Sequence, residues 1–187
     1  STWMYMDYRG DDLVEWVLEQ TDPNAVFLTN RVVTHGILLA GRRLFNGHTY
    51  YAWSAGYATG PRDTVYKRMY ESRDPHEVFR LLKENDISYV AFDNAIRKNE
   101  FIRNHNEDLY KAYFEMVFED SAKYDAISIY VVPAELGSPR DPELANAIVT
   151  PSPEGTKSSG VNMHVGGKGT DNGQLDWPRG IAADRKG

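Results

Sequence analysis

Apolar positions along the chain fall into two kinds of run, one spaced by three and four residues and one nearly unbroken, and their order predicts alternating helices and strands. Leu13, Trp16 and Val17 follow Asp11 and Asp12, the spacing of a short helix with carboxylates at its positive end, closing at Glu19–Gln20. Thr21–Asn24 reads as a turn and Ala25–Thr29 as a short buried strand. Val65, Met69 and Tyr70 after Asp63 predict a helix. Asp74–Pro75 opens another, with Val78, Phe79, Leu81 and Leu82 on its apolar face, because Asp caps a helix and Pro suits its first position. Ile87–Phe92 is nearly all apolar, as a parallel strand covered on both faces tends to be. Phe101–Tyr113 predicts a further helix, and Phe114–Glu119 with Ile127–Val132, parted by the turn-prone Asp120–Ala126, predicts an antiparallel hairpin.

Helix followed by buried strand is the grammar of a βαβ crossover, right-handed by default. The expected fold is α/β: a three-layer sandwich whose mixed, mainly parallel sheet of about four or five strands is closed by a C-terminal antiparallel hairpin. Between Asn30 and Pro61 the pattern weakens. Ile37–Ala40 is a helix opening and Arg43–Phe45 a short second strand, in a stretch punctuated by Gly36, Gly41, Gly47, Gly56 and Gly60.

After Pro133 the character changes to Pro, Gly, Ser and Thr, too little apolar surface to offset the entropy of ordering. The expected domains are an α/β domain over residues 1–133, a linker over 134–165 with one isolated helical turn at Glu143–Val149, and a last segment over 166–187. Removal of everything after Pro133 is then expected to change stability by less than about 1 kcal/mol. Composition agrees: 41% hydrophobic and 12% aromatic residues supply one core, while a mean hydropathy of −0.56 shows that polar sequence dilutes them. A net charge of −6 speaks against nonspecific nucleic-acid binding, which needs a Lys/Arg surplus on one face. With no cysteine there is neither a disulfide framework nor a thiolate metal site. No run approaches the ~18 apolar residues of a membrane span.

Candidate chemistry concentrates in the Gly-rich stretch. His35, Arg42, Arg43, His48, Tyr51 and Trp53 could line a site for an anionic or sugar ligand, Arg forking to phosphate or carboxylate and aromatic rings stacking on sugar faces. The bland alternative is an aromatic loop packed on its own sheet. His35 follows a strand, where ligands of open α/β sheets sit, and Asp93 directly follows the Ile87–Phe92 strand, although Asp93–Asn94 also makes an ordinary turn. His76 and His105 have no partner four residues on, so metal spacing is not met. Neither a metal nor a cofactor is expected, and no nucleophile elbow, Walker loop or dinucleotide fingerprint occurs.

Two resemblances extend this reading. Gly173, Leu175, Trp177, Pro178, Gly180, Ile181, Ala182, Asp184 and Gly187 fit the start of an NHL repeat, the blade unit of a β-propeller. A single opening strand cannot bury its own face, so the resemblance implies a chain continuing into further repeats. More weakly, Glu15–Val17, Pro23–Thr29, Leu39–Gly47, Trp53–Tyr57 and Leu81–Val90 resemble the extracytoplasmic domain that follows the membrane helices in GT-C glycosyltransferases, the group of protein mannosyltransferases and oligosaccharyltransferases. The Trp-Trp-Asp-Tyr-Gly acceptor motif of oligosaccharyltransferases is missing from Thr29–Gly36. The catalytic and metal-binding carboxylates of such enzymes belong to their membrane part, outside this chain.

The resemblances together imply a non-catalytic domain on the extracytoplasmic side of a membrane, tethered to a membrane part and a propeller of the same polypeptide and positioning a glycan or lipid-linked sugar. Two rivals stand beside that expectation: a stand-alone α/β enzyme with its site in residues 35–57 and Asp93, and a pure protein-interaction spacer.

Overall fold

The computed structural model describes residues 10–31, 36–46 and 60–149. The chain divides into two units, Ser1–Pro151 and Ser152–Gly187, and every described residue belongs to the first. Helix α1 (Asp12–Gln20) opens where the Asp11 carboxylate accepts the Val14 N–H at 3.0 Å, and closes where the Thr21 hydroxyl donates to the Val17 carbonyl at 2.6 Å. It leads to strand β1 (Val26–Leu28), helix α2 (Gly36–Leu39) and strand β2 (Arg43–Leu44). A Cβ at Gly36 would meet Leu13 Cδ2 at 3.3 Å, so the bare glycine lets α2 settle against α1.

Helices α3 (Gly60–Glu71) and α4 (Pro75–Glu84) then cross to strand β3 (Tyr89–Phe92). The Asp74 carboxylate caps α4 through the His76 N–H at 2.9 Å, with Pro75 at the first helical position. One turn of helix, α5 (Asn94–Arg97), follows, then α6 (Glu107–Tyr113), strands β4 (Glu115–Asp120) and β5 (Ile127–Val131), and α7 (Pro142–Val149).

The sheet order is β2-β1-β3-β5-β4. β2, β1 and β3 are parallel neighbours, and β5 is antiparallel to both β3 and β4. This is the expected mixed sheet with a closing hairpin. Period-two alternation along β3 builds both faces: Val90 and Phe92 enter a core with Met69, Tyr70, Leu82 and Tyr110, whereas Ala91 enters a second with Leu13, Val17, Phe27 and Ile37. Helices therefore cover the sheet on both sides, α3, α4 and α6 on one and α1 and α2 on the other.

Two expectations are revised. The helix foreseen over Phe101–Tyr113 begins only at Glu107. Asn106, fully buried, spends its amide on the carbonyls of Met69 (3.1 Å) and Ser72 (2.7 Å) at the end of α3, which turns the chain before α6 starts. Ordered packing also continues past Pro133. Arg140 N–H donates to the Ala112 carbonyl at 2.7 Å, Ala145 is buried, and Leu136 and Ile148 lie against the first core. The expected linker is thus part of the fold as far as Val149, because Ala145 and Ile148, three residues apart, share one helix face. Residues 150–165 and the repeat-like 166–187 lie outside the described residues.

One ion pair ties the hairpin to the helices. Arg97 forks onto Glu107 at 2.7 and 2.6 Å, donates to the Ala126 carbonyl and reaches Ser128 Oγ at 3.2 Å, while the Tyr130 hydroxyl donates to Glu107 at 3.3 Å. Burial pushes the Glu107 carboxyl up, but the hydrogen bonds and charge of Arg97 outweigh it and hold Glu107 below the usual carboxylate range.

Two outcomes are expected from thermal or urea unfolding. A chain ending at Pro133 is expected to be about 2 kcal/mol less stable than one ending at Pro151, the scale of losing two partly buried aliphatic side chains; equal stabilities would show that α7 contributes nothing. Because the folded Glu107 value is depressed, its contribution is present above the ordinary carboxylate range and lost as pH falls through the lowered value. Glu107→Gln is accordingly expected to be less stable near neutrality and to show a shallower acid limb than the parent, and an unchanged limb would remove Glu107 from acid unfolding.

Candidate functional site

The three parallel strands end side by side, and each ends in polar residues: β1 in Thr29, Asn30 and Arg31, β2 in Asn46 after Phe45, and β3 in Asp93. This carboxyl edge is where open α/β sheets hold ligands. Asp93, 2% exposed, accepts the Ile96 N–H at 2.9 Å on one carboxylate oxygen and the Asn30 side-chain amide on the other. It is the N-cap of α5, and burial pushes its carboxyl above the usual range despite those two bonds. The Tyr66 hydroxyl, from α3, donates to the Thr29 carbonyl at 2.9 Å and so fastens α3 to the end of β1.

Arg31 carries the cluster outward. Its guanidinium lies 4.5 Å from the centre of the Tyr66 ring and 4.7 Å from that of Phe101, and bonds the Asp63 carboxylate at 2.8 Å. The Asn46 amide donates to the same Asp63 oxygen at 3.3 Å. Ends of β1 and β2, the first turn of α3 and the segment before α6 thus meet in one paired polar cluster. Residues 32–35 follow Arg31 and residues 47–59 follow Asn46, both outside the described residues.

The sequence-predicted residues are not gathered in one place. Arg42, 6% exposed, points away from that edge: its guanidinium donates to the carbonyls of Val17 (3.1 Å), Leu18 (3.3 Å), Thr21 (3.0 Å) and Ala40 (3.3 Å), and to Thr21 Oγ1 (2.9 Å). It caps the carboxyl ends of α1 and α2, where a cation is favoured by orphan carbonyls and the helix dipole. Gly41, at φ +80°, takes the left-handed conformation that ends α2 and delivers Arg42 to this place. Arg43 is exposed and donates to the Asn24 carbonyl at 2.6 Å, at the amino end of β1. Asp93 alone of the three described candidates stands at the carboxyl edge. His35, His48, Tyr51 and Trp53 lie outside the described residues.

Asn30, Arg31, Asn46 and Asp63 were not foreseen, although three polar residues directly after an apolar strand were a visible signal. His105 stands before α6 rather than on it, its ring centre 6.3 Å from that of Phe92. Among the described residues, no group of three or more His, Asp or Glu is placed to hold a metal ion. No helix among them is long and apolar enough to cross a membrane.

No protein-family model matches the chain, the NHL-like residues included, and no curated protein matches it either. Among solved structures, the C-terminal globular domain of an oligosaccharyltransferase from Archaeoglobus fulgidus is similar over 70% of this chain and all of that domain, at 13% identity and a TM-score of 0.41.

The two adjacent arginines are expected to behave oppositely on substitution. Arg42→Ala strips a buried cation from five acceptors and is expected to cost about 3 kcal/mol in urea unfolding. Arg43→Ala removes one exposed bond and is expected to stay within about 0.5 kcal/mol. Equal effects would contradict the assignment of Arg42 as a buried helix clamp.

Proposed function

We propose that this domain is a non-catalytic positioning module of a larger membrane protein resembling GT-C glycosyltransferases, on the extracytoplasmic side, and that it holds a glycan or lipid-linked sugar at the carboxyl edge of β1, β2 and β3. The observation that carries the reading is the polar cluster of Asn30, Arg31, Asn46, Asp63 and Asp93 at that edge. A general base needs a lone pair aimed at its substrate. Asp93 instead directs one oxygen to a helix N-terminus and the other to Asn30, which suits holding a shape more than moving a proton.

The sequence supports the same edge. His35 lies four residues after Arg31 in sequence, and His48, Tyr51 and Trp53 lie in the segment that begins after Asn46, rings and imidazoles of the kind suited to sugar faces and hydroxyls. Membrane tethering and continuation into a propeller belong to this proposal as the expected partners of the domain within one polypeptide.

Titration of the full chain with a polyprenyl-phosphate-linked sugar in detergent, followed by isothermal calorimetry, tests the reading. Trp53→Ala and His35→Ala are expected to weaken binding at least tenfold, about 1.4 kcal/mol, without lowering thermal stability. Absence of binding by the parent chain, or undiminished binding by both variants, would overturn it.

A further inference from the structure

Next to the carboxyl edge, an open groove of about 540 Å³ runs along α3, lined by Phe101 and by Asp63, Lys67, Arg68, Glu71 and Glu77. Its volume falls in the ~300–1,000 Å³ range of small-molecule sites. Phe101 is 40% exposed, whereas its neighbour Ile102 is 1% exposed and anchors the segment in the core. The ring is thereby held at the surface by its neighbour's burial. Arg31 lies over it, and Lys67 Nζ stands 5.5 Å from its centre.

The lining is charged, and its charges are paired. Lys67 pairs with Glu71 at 3.7 Å and Arg68 with Glu77, while Asp63 is paired at 2.8 Å by Arg31, which reaches in from the carboxyl edge, so the third carboxylate of the lining takes its cation from outside it. Glu71 also accepts the Arg103 N–H at 2.7 Å, and Glu77 accepts the Ser72 hydroxyl at 2.6 Å, which holds both carboxylates in place. An anionic or cationic ligand would have to compete with an existing ion pair for its counter-charge. A neutral ligand rich in hydroxyl groups need not, because each carboxylate keeps lone pairs and each cation keeps N–H donors after pairing. A partly exposed aromatic ring that shares its surroundings with Arg31 and Lys67 suits a molecule with one apolar C–H face and hydroxyls around its rim.

We propose that this groove binds a neutral saccharide, one ring resting on Phe101 with its hydroxyls bridging Lys67–Glu71 and Arg68–Glu77. The groove adjoins the carboxyl-edge site proposed above and shares Asp63 with it, and its ligand class is argued from the pairing of its charges, Arg31 included.

Saturation-transfer NMR of the full chain with chitobiose, maltose, mannobiose and inorganic phosphate tests it. At least one disaccharide is expected to bind, with Phe101→Ala weakening it fivefold or more, Phe101→Trp retaining it, and Lys67→Ala weakening it about twofold; thermal unfolding of each variant confirms the fold. Failure of all three disaccharides to bind, equal binding by Phe101→Ala, or displacement of the disaccharide by phosphate would overturn the proposal. The two sites fail separately: lipid-linked sugar binding lost in Trp53→Ala with no Phe101-dependent disaccharide binding refutes the groove alone. Phe101-dependent disaccharide binding, with lipid-linked sugar binding unaffected in both Trp53→Ala and His35→Ala, supports the groove and refutes the carboxyl edge.

Discussion

The ring of Phe92, at the end of the central strand, is the contact on which the fold depends. Tyr70 from α3, Tyr110 from α6 and Tyr130 from β5 meet it edge-on or nearly so, at centroid distances of 5.1, 5.0 and 5.9 Å. Edge-to-face aromatic pairs gain about 0.5–1.5 kcal/mol beyond their area burial. Each tyrosine also carries a hydroxyl that must be satisfied in a dry place. Tyr70 donates to the Ala91 carbonyl at 2.9 Å, Tyr110 to that of Met69 at 3.0 Å, and Tyr130 to Glu107. The aromatic layer therefore packs and cross-links at once, and burial raises all three phenols above their ordinary value.

That layer explains why the sheet changes character at β3. On one side β3 has the parallel neighbour β1, whose end opens into the polar edge; on the other it has the antiparallel β5, which brings Tyr130 onto Phe92. Glu107 is admitted to the interior because Tyr130 and Arg97 both need an acceptor there. Loss of either partner would leave a poorly solvated carboxylate, a costlier defect than the loss of an ordinary surface pair. The same residue that completes the core, Phe92, is followed at once by Asp93, so the packing that stabilises the sheet also sets where its polar edge begins.

The elements most legible in the sequence were those governed by local rules. Asp74–Pro75 announces α4 because capping and a preset φ act within one turn, and β3 is visible because two-sided burial demands consecutive apolar residues. Elements shaped by distant partners were not. α6 starts late because Asn106 bonds carbonyls at the end of α3, more than thirty residues away, and α7, foreseen as an isolated helical turn at Glu143–Val149, showed in sequence no sign that Ile148 would pack against the core. For the site, Asp93 could be placed from its position after a strand, but nothing local tells Arg42 from Arg43. One is drawn inward by the carbonyls that end α1, and the other stays in solvent because β2 alternates its side chains.

The two margins of the sheet bear on how this domain meets other molecules. Among the described residues, β2 offers two residues at one margin, while β4 at the other is interrupted between Met116 and Phe118 and bears Glu115, Glu119 and Asp120. Short length, a bulge and repelling charge are the devices by which sheets avoid acting as templates. Among the described residues, copies meeting at high concentration would thus find little main chain to zip onto, which favours recognition through helix sides and loops that can be tuned one side chain at a time.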